Sequence, residues 1–281
     1  MINPAIIEPN SENSVKKYTA NFVQHGRGTP VILIHGLAAS LYDWNELIPA
    51  LTASSFSVYA LDLLGHGESG KPESLNDYTV DNVFSHFSEW LNSLQLKTPF
   101  ILIGHSLGGY LALQYAQRCP EQVRALVLVD PFFSLKQLPL LLRINYRRPL
   151  ITTTMIERTP EWLFRGVIDL TSLSIRNGHI LPASVRMQTA ADYKRAHPGI
   201  FNIIHSIHDF TPNFASIHQP TLVLWGARDQ TLAPAFFSKA IQQIPHATGE
   251  AIRGAGHVPH QSHPAEFNRK VMNFLNNLKN H

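Results

Sequence analysis

The chain alternates short, almost continuously apolar runs with longer stretches whose apolar residues recur at helical spacing. The short runs are rich in β-branched residues and are bounded by Gly, Pro, Asp or His, a pattern typical of parallel strands buried on both faces. A further run around Gly249–Arg253 is a weaker strand candidate. Five runs fit the pattern well: Val31–His35, Val58–Asp62, Phe100–Gly104, Val123–Asp130 and Thr221–Trp225.

Helices are predicted between and after these strands. Apolar residues recur every three to four positions in Val80–Leu94 and Tyr110–Arg118, which indicates helices with one buried face. Two more helices are predicted near the end of the chain, where a proline suits the first helical turn. Strand–helix alternation of this kind predicts an α/β protein, with a mostly parallel sheet covered by helices on both faces. The two late helices are Pro234–Ile244 and Pro264–Leu278.

The segment 132–219 interrupts this alternation. It is rich in leucine and arginine, contains six prolines and has no convincing buried strand. We therefore predict a mostly helical cap inserted between two strands, so that residues 1–131 and 220–281 form one core. Its apolar residues are expected to cover the carboxyl edge of the sheet, where open α/β sheets bind ligands. They include Phe132, Phe133, Leu138, Leu140, Leu141, Leu142, Ile144, Trp162, Leu163 and Phe164.

Composition and charge narrow the class of protein. With 281 residues, 44% of them hydrophobic and a net charge of only +3, the chain can bury a large core and is not disordered. The excess positive charge lies in the predicted cap, which has ten Lys and Arg against five Asp and Glu. These charges are scattered, so we favour solvated helix faces over an anion-binding role, and we expect no nucleic-acid partner.

Cysteine content and apolar run length bear on location. The single cysteine, Cys119, excludes a disulfide scaffold and a cysteine zinc site. The first residues contain no apolar stretch of signal-peptide length, and no run reaches 18 apolar residues. We therefore expect a cytoplasmic protein without a membrane span, while the sequence leaves open whether it is a monomer or a homodimer.

The first candidate for chemistry is Ser106, at the centre of a G-x-S-x-G motif that runs from Gly104 to Gly108. The motif lies directly between an apolar strand and a predicted helix. An abrupt turn there forces the serine into a strained backbone conformation and exposes its hydroxyl beside a helix N-terminus. Ser106 is therefore predicted to be a nucleophile.

A serine hydroxyl needs a base, and that base needs an acid to hold it. Asp229 follows directly on the strand that ends at Trp225, and His257 lies twenty-eight residues later in a glycine-rich loop before the last helix. The chain order Ser, Asp, His is that of α/β hydrolases. Asp130 also ends an apolar strand and is the alternative acid, although Asp130-Pro131 fits an ordinary strand-ending turn.

An oxyanion hole requires two N–H donors close to the nucleophile. The dipeptide His35-Gly36 ends the first clear strand in a loop that could bring the N–H of Leu37 near Ser106. The N–H of Leu107, next to the nucleophile, would supply the second donor. We expect His35 itself to hold the loop rather than to react.

Taken together, these residues resemble the α/β-hydrolase superfamily, in particular its cap-bearing esterase and carbon–carbon hydrolase branch. The resemblance implies an eight-stranded, mostly parallel sheet with a helical cap inserted after the sixth strand. It also implies Ser106 as nucleophile, His257 as base and Asp229 as its partner. One position departs from many relatives, which have a glutamate where this chain has Ser262. The matching segments are Val31–Gly36, Leu61–Ser69, Gly104–Gly109, Gly226–Asp229 and Gly256-His257.

A serine at position 106 disfavours epoxide and halide chemistry, for which relatives use a carboxylate nucleophile. The first hypothesis is a serine hydrolase that cleaves carboxylic esters of small to medium apolar substrates through an acyl-enzyme, without cofactor or metal. Alternative reactions are hydrolysis of a carbon–carbon bond in a vinylogous diketone, thioester hydrolysis and cofactor-free perhydrolysis. A slow-turnover ligand receptor is the alternative of another class. The positive cap adds the hypothesis that substrates with a distant carboxylate are tolerated.

Overall fold

The computed structural model describes residues 18–139, 143 and 181–278. These residues contain a seven-stranded sheet with the strand order β1-β3-β2-β4-β5-β6-β7. Strand β1 pairs antiparallel with β3, and every other neighbouring pair is parallel. The strands are β1 Phe22–Gly26, β2 Thr29–Ile34, β3 Phe56–Leu61, β4 Phe100–His105, β5 Val123–Val129, β6 Thr221–Gly226 and β7 Ala247–Ile252.

The central strands separate two apolar layers. In β2, Ile32 and Ile34 belong to one buried cluster, while Val31 and Leu33 belong to the cluster on the other face. Side chains of a strand point alternately to its two faces, so a strand covered on both sides needs apolar residues at every position. This explains the uninterrupted apolar runs in the sequence.

Helices cover both layers. Helices α2, α3 and α5 contribute to the first cluster, and α1 and α7 contribute to the second. The helices are α1 Ile48–Ala53, α2 Val80–Ser93, α3 Leu107–Arg118, α4 Ala183–Arg195, α5 Ala235–Gln243, α6 Pro259–Ser262 and α7 Pro264–Asn277. None of the described helices combines the length and apolarity needed to cross a membrane.

The α/β class and the five clear strands are confirmed, and the weak candidate near Gly249 is part of β7. The expectation of eight strands is not met within the described residues, which contain seven. The predicted cap was expected after the sixth strand. In the described residues it follows β5, the fifth strand along the chain. Strand β1 was not predicted, because three of its five residues at this sheet edge are exposed and its pattern is not continuously apolar.

The described part of the predicted cap contains α4 and three 3₁₀ helices, and no strand. It packs onto the core, since Ile200 and Ile203 belong to the same buried cluster as Leu63 and Tyr78. Residues 140–142 and 144–180, which include predicted underside residues such as Leu140 and Trp162, lie outside the described part. The 3₁₀ helices are Leu135–Gln137, Pro198–Ser206 and Thr211–Ser216.

Candidate active site

Ser106 lies at a sharp turn between β4 and α3. Its backbone has φ 50° and ψ −111°, a conformation that costs a non-glycine residue roughly 1–3 kcal/mol. Neighbouring backbone groups hold it there, because the Ser106 N–H donates to Val129 O (2.9 Å) and Ser106 O accepts from Phe132 N–H (3.0 Å). The turn places the serine at the N-terminus of α3, as the motif predicts.

The motif glycine at 108 is required by helix–strand packing. A Cβ atom there would lie 2.1 Å from the carbonyl oxygen of Ile34 in β2, so a side chain would push α3 away from the sheet. The loop after β2 also lies against this turn, since a Cβ on Gly36 would lie 2.9 Å from His105 Nδ1 and 3.3 Å from the Cβ of Ser106. These two glycines therefore bring the predicted oxyanion loop and the nucleophile together.

Asp229 and His257 form a hydrogen-bonded pair. His257 Nδ1–H donates to Asp229 Oδ2 over 2.8 Å, and Asp229 Oδ1 accepts from the N–H groups of Thr231 (2.7 Å) and Leu232 (3.0 Å). The Asp229 side chain is fully buried, whereas 20% of the His257 side chain is exposed. Because Nδ1 carries the proton, Nε2 is the basic nitrogen of this imidazole.

Asp229 and Asp130 lie close to each other, and their environments shift their pKa values in opposite directions. Burial opposes ionisation of Asp229, but the charge and hydrogen bond of His257 outweigh it and lower the pKa of this carboxyl. Burial, followed by the negative charge of Asp229, raises the pKa of Asp130 well above its usual range. Of the two acids, Asp229 is thus the one that stays ionised beside a histidine.

Asp130 has a structural role at the ends of two strands. It is fully buried and adopts φ 40°, and its Oδ1 accepts from the Gly226 N–H over 2.9 Å. This contact joins the end of β5 to the end of β6. The geometry therefore pairs His257 with Asp229 rather than with Asp130.

Ser106 and His257 line the same cavity of about 150 Å³. These two described side chains do not hydrogen-bond each other, and such contacts often tighten only when substrate binds. Leu37 and Leu107 line this cavity as well, and within the described chain no hydrogen bond engages either N–H group. The predicted nucleophile, base and oxyanion donors are thus brought to one cavity.

Two histidines near the site have structural contacts. His35 Nε2 accepts from the Leu63 N–H (2.9 Å), and its Nδ1–H donates to Gly36 O (2.7 Å), so both ring nitrogens hold the loop as expected. His66 is buried, donates from Nδ1 to Leu64 O and has its pKa lowered by burial to about 3. Neither imidazole is placed to exchange a proton with Ser106.

A second acid–histidine pair lies behind His257 and was not predicted from the sequence. His105 Nδ1 lies 3.2 Å from Asp43 Oδ2, and His105 Nε2 lies 2.9 Å from the backbone oxygen of His257. Both ring nitrogens of His105 are therefore engaged by oxygen atoms of the protein. Burial alone would raise the pKa of Asp43, but the hydrogen bond from His105 and the nearby His260 imidazole hold it below its usual range.

This second pair supports the loop that carries His257. Gln261 donates to Asp43 Oδ1, and His260 Nε2 lies 3.6 Å from Asp43 Oδ2. Ser262, where many relatives have a glutamate, instead contacts the adjacent His263 ring (2.9 Å). The signal in the sequence was slight, namely that His105 directly precedes the predicted nucleophile.

Two groups of residues in the described chain have metal-ligand atoms within 4.8 Å of one another. One group is Asp43, His105 and His260, and the other combines Asp130 and Asp229 with His257. In each group a carboxylate already hydrogen-bonds an imidazole. A metal ion would therefore have to displace these protons before it could bind.

Comparisons with known proteins identify the family. The model of the alpha/beta hydrolase family matches residues 31–270, and the chain belongs to this family. It is 28% identical to 2-hydroxy-6-oxo-6-(2'-aminophenyl)hexa-2,4-dienoic acid hydrolase of Metapseudomonas resinovorans, covering 98% of this chain and 96% of that protein.

Solved structures share the fold. A bromoperoxidase from Bacillus anthracis superposes with a TM-score of 0.81 at 21% identity, over 98% of this chain and all of that chain. A thermophilic esterase from Thermogutta terrifontis gives a TM-score of 0.80 at 22% identity, over 98% and 99%. The fold is therefore that of a hydrolase superfamily whose structural relatives include esterases.

Proposed function

We propose that this protein is a serine hydrolase that cleaves carboxylic esters with apolar acyl groups through an acyl-enzyme. The observation that carries the proposal is the buried Asp229–His257 pair, which reaches the same cavity as a strained serine at a helix N-terminus. Ser106 is assigned as nucleophile, His257 as general base and acid, and Asp229 as the residue that orients it. Leu37 and Leu107 are assigned as oxyanion donors.

In the proposed reaction, Ser106 Oγ attacks the ester carbonyl while His257 Nε2 takes its proton. The N–H groups of Leu37 and Leu107 stabilise the negative oxygen of the tetrahedral intermediate. This intermediate collapses with loss of the alcohol, whose oxygen receives the proton from His257. Water then repeats the sequence on the acyl-enzyme, which releases the carboxylic acid and restores Ser106.

The side chains that line the wall of the cavity favour an ester with an apolar acyl group. Residues 132–219, which we assign as a cap, contribute Phe132, Leu138, Phe201 and Ile204 to this wall. Each methylene buried against such a wall contributes about 0.8 kcal/mol until the space is filled. We therefore expect kcat/KM to rise with acyl length over the first few carbons and then to fall.

One observation separates ester cleavage from the carbon–carbon alternative. The Metapseudomonas relative is named for a dienoic acid, so its substrate carries a carboxylate. Among the described residues, no lysine or arginine lines the cavity beside Ser106. The described wall thus favours an uncharged ester over an acidic diketone.

The test combines labelling with turnover. A fluorophosphonate should label the wild type, and Ser106→Ala should abolish the labelling. p-Nitrophenyl esters of increasing acyl length should then give many turnovers per active site. Absence of labelling in the folded wild type would contradict the nucleophile, whereas a burst of one product per site without further turnover would indicate a slow receptor.

A further inference from the structure

The space around Ser106 has two lobes. Leu37, Ser106, Tyr193 and His257 border both lobes. The first is the cavity of about 150 Å³ described above, which we call the apolar lobe. The second, which we call the polar lobe, has a volume of about 120 Å³. Its polar wall is formed by Asp43, His105, Thr189, Asp192 and Gln261.

Two side chains of the polar lobe donate hydrogen bonds within the protein, and a third accepts them. Thr189 Oγ1–H donates to Val185 O (2.8 Å), and Gln261 Nε2–H donates to Asp43 Oδ1. Asp192 Oδ1 accepts from Ser40 Oγ (2.9 Å) and from Gln188 Nε2 (2.8 Å). The groups left to bind a ligand therefore include three acceptors, namely the Thr189 oxygen, Gln261 Oε1 and the Asp192 carboxylate.

The described wall of the polar lobe carries two carboxyls. Asp43 is engaged by His105 and Gln261, whereas Asp192 is a buried carboxyl on α4 whose hydrogen bonds are made by Oδ1. Among the described residues no lysine or arginine lines the lobe, and Arg195 forms a long ion pair (4.0 Å) with Asp192 Oδ1 from a partly exposed position. Burial raises the pKa of Asp192 to about 6, so the carboxylate is ionised at pH 8.

We propose that the polar lobe binds the alcohol part of the ester, and that this alcohol carries hydrogen-bond donors, either hydroxyl or ammonium groups. The inference rests on the proposed ester hydrolysis. Val258 and Gln261, in the loop and helix after His257, border the polar lobe and not the apolar one. The alcohol oxygen must accept its proton from His257 as it leaves, so it departs on this side. A carboxylate on the alcohol is disfavoured here, which reverses the expectation drawn from the overall charge of the cap.

The experiment compares butyrate esters that differ only in the alcohol, assayed at pH 8. The alcohols are glycerol, 2-(dimethylamino)ethanol, propanol and glycolate, which present hydroxyl donors, an ammonium, an apolar group and a carboxylate. Two hydroxyl donors at about 0.5 kcal/mol or more each, or one bond to a charged group at about 1.5 kcal/mol or more, predict a kcat/KM at least about fivefold higher for the first two than for the propyl ester. The glycolate ester should be the slowest. Equal rates, or preference for glycolate, would overturn the proposal.

An ester with its hydroxyls on the acyl side tests which lobe binds the acyl part and which binds the alcohol part. Propyl glycerate carries its hydroxyls on the acyl side and should be slower than glycerol monobutyrate. If it is faster, the lobes are assigned the wrong way round. Hydrolysis of p-nitrophenyl butyrate in the same preparation separates the two proposals, because a flat alcohol series with active enzyme contradicts only the polar lobe.

Asp192→Asn removes the charge and keeps the shape of the side chain. It should reduce the advantage of the dimethylaminoethyl ester over the propyl ester by at least about fivefold, since the carboxylate is replaced by an amide. Asp209→Asn is the matched control, because Asp209 is an exposed carboxylate of the same segment that borders neither lobe. Thermal melting of both variants checks folding. An unchanged ester ratio in folded Asp192→Asn would contradict the assignment.

Discussion

Two carboxylate–histidine pairs lie side by side in this molecule, and the rings of His105 and His257 are 5.0 Å apart between centroids. Both carboxylates, Asp43 and Asp229, are buried and have lowered pKa values. The histidines differ. His105 is 5% exposed and uses both ring nitrogens, whereas His257 is 20% exposed and uses only Nδ1 in the described structure.

The difference teaches that a buried acid beside a histidine does not by itself identify a catalytic base. What distinguishes His257 is a nitrogen left for the cavity that Ser106 lines. The Asp43–His105 pair instead contacts the backbone oxygen of His257 and holds the loop in place. We therefore expect loss of the Asp229–His257 pair to abolish the chemical step. Loss of the Asp43–His105 pair should disturb the position of His257 and the stability of the fold.

The largest effect is expected at the three predicted triad residues. Ser106→Ala and His257→Ala should each lower kcat by at least ~10³, and Asp229→Asn should do so comparably, because the residues act as a unit. Steady-state hydrolysis of a p-nitrophenyl ester measures kcat, and circular dichroism checks that each variant is folded.

Asp130→Asn is the matched control for Asp229→Asn. Asparagine can still accept from the Gly226 N–H, and the neutral side chain resembles the protonated acid expected at this site. Activity should change little. If Asp130→Asn abolishes activity while Asp229→Asn does not, the acid has been misassigned.

A smaller kinetic effect is expected at the second pair. His105→Gln should lower kcat by roughly 10–100-fold through misplacement of His257, since small displacements of a catalytic group are costly. Removing one partner of a buried ion pair should also destabilise the fold by about 3–5 kcal/mol. Urea unfolding and the kcat of the remaining folded protein measure the two effects separately.

The double variant Asp43→Asn/His105→Gln sharpens this test. Because it leaves no unpaired buried charge, it should recover part of the stability lost in His105→Gln. A fall of kcat in His105→Gln to the level of Ser106→Ala would show that His105 takes part in the chemistry, and the comparison between the pairs would fail.

The pH dependence should report only one of the two histidines. The base must be neutral to accept a proton, so kcat/KM for an uncharged p-nitrophenyl ester should rise with pH between about 5 and 9. Because burial raises the pKa of Asp192 to about 6, the rise should be shown to persist in Asp192→Asn. Asp229 has a lowered pKa and stays ionised throughout that range, so it adds no second step. A profile that is flat from pH 5 to 9 would count against His257 as base.

The central strands and the triad candidates could be predicted from the sequence because their signals are local. A strand buried on both faces must be apolar at every position. Ser106 and Asp229 follow such strands, and His257 lies in a loop ahead of the last helices. The assignment of the triad itself stays a prediction, as does the cytoplasmic location. Strand β1 gave no comparable signal, since Gln24 and His25 face solvent at the sheet edge.

The second pair and the polar lobe could not be predicted, because their residues meet only in the folded chain. Asp43 is 62 residues from His105 and 218 residues from Gln261. Asp192 reaches Ser40 across 152 residues. No spacing rule connects such positions, and the charge count of residues 132–219 does not say which charged side chains reach the lobe beside Ser106.

The smallest expected effect is that of chelation. Both carboxylate–histidine pairs belong to groups whose atoms are close enough to bind a metal ion, so the comparison would break if either were a metal site. The proposed chemistry uses side chains and backbone N–H groups alone, and the imidazoles of both pairs already hydrogen-bond carboxylates. Hydrolysis should therefore be unchanged after dialysis against EDTA. Loss of activity that Zn²⁺ or Mn²⁺ restores in the wild type, but not in Asp43→Asn/His105→Gln, would instead identify the second pair as a metal centre.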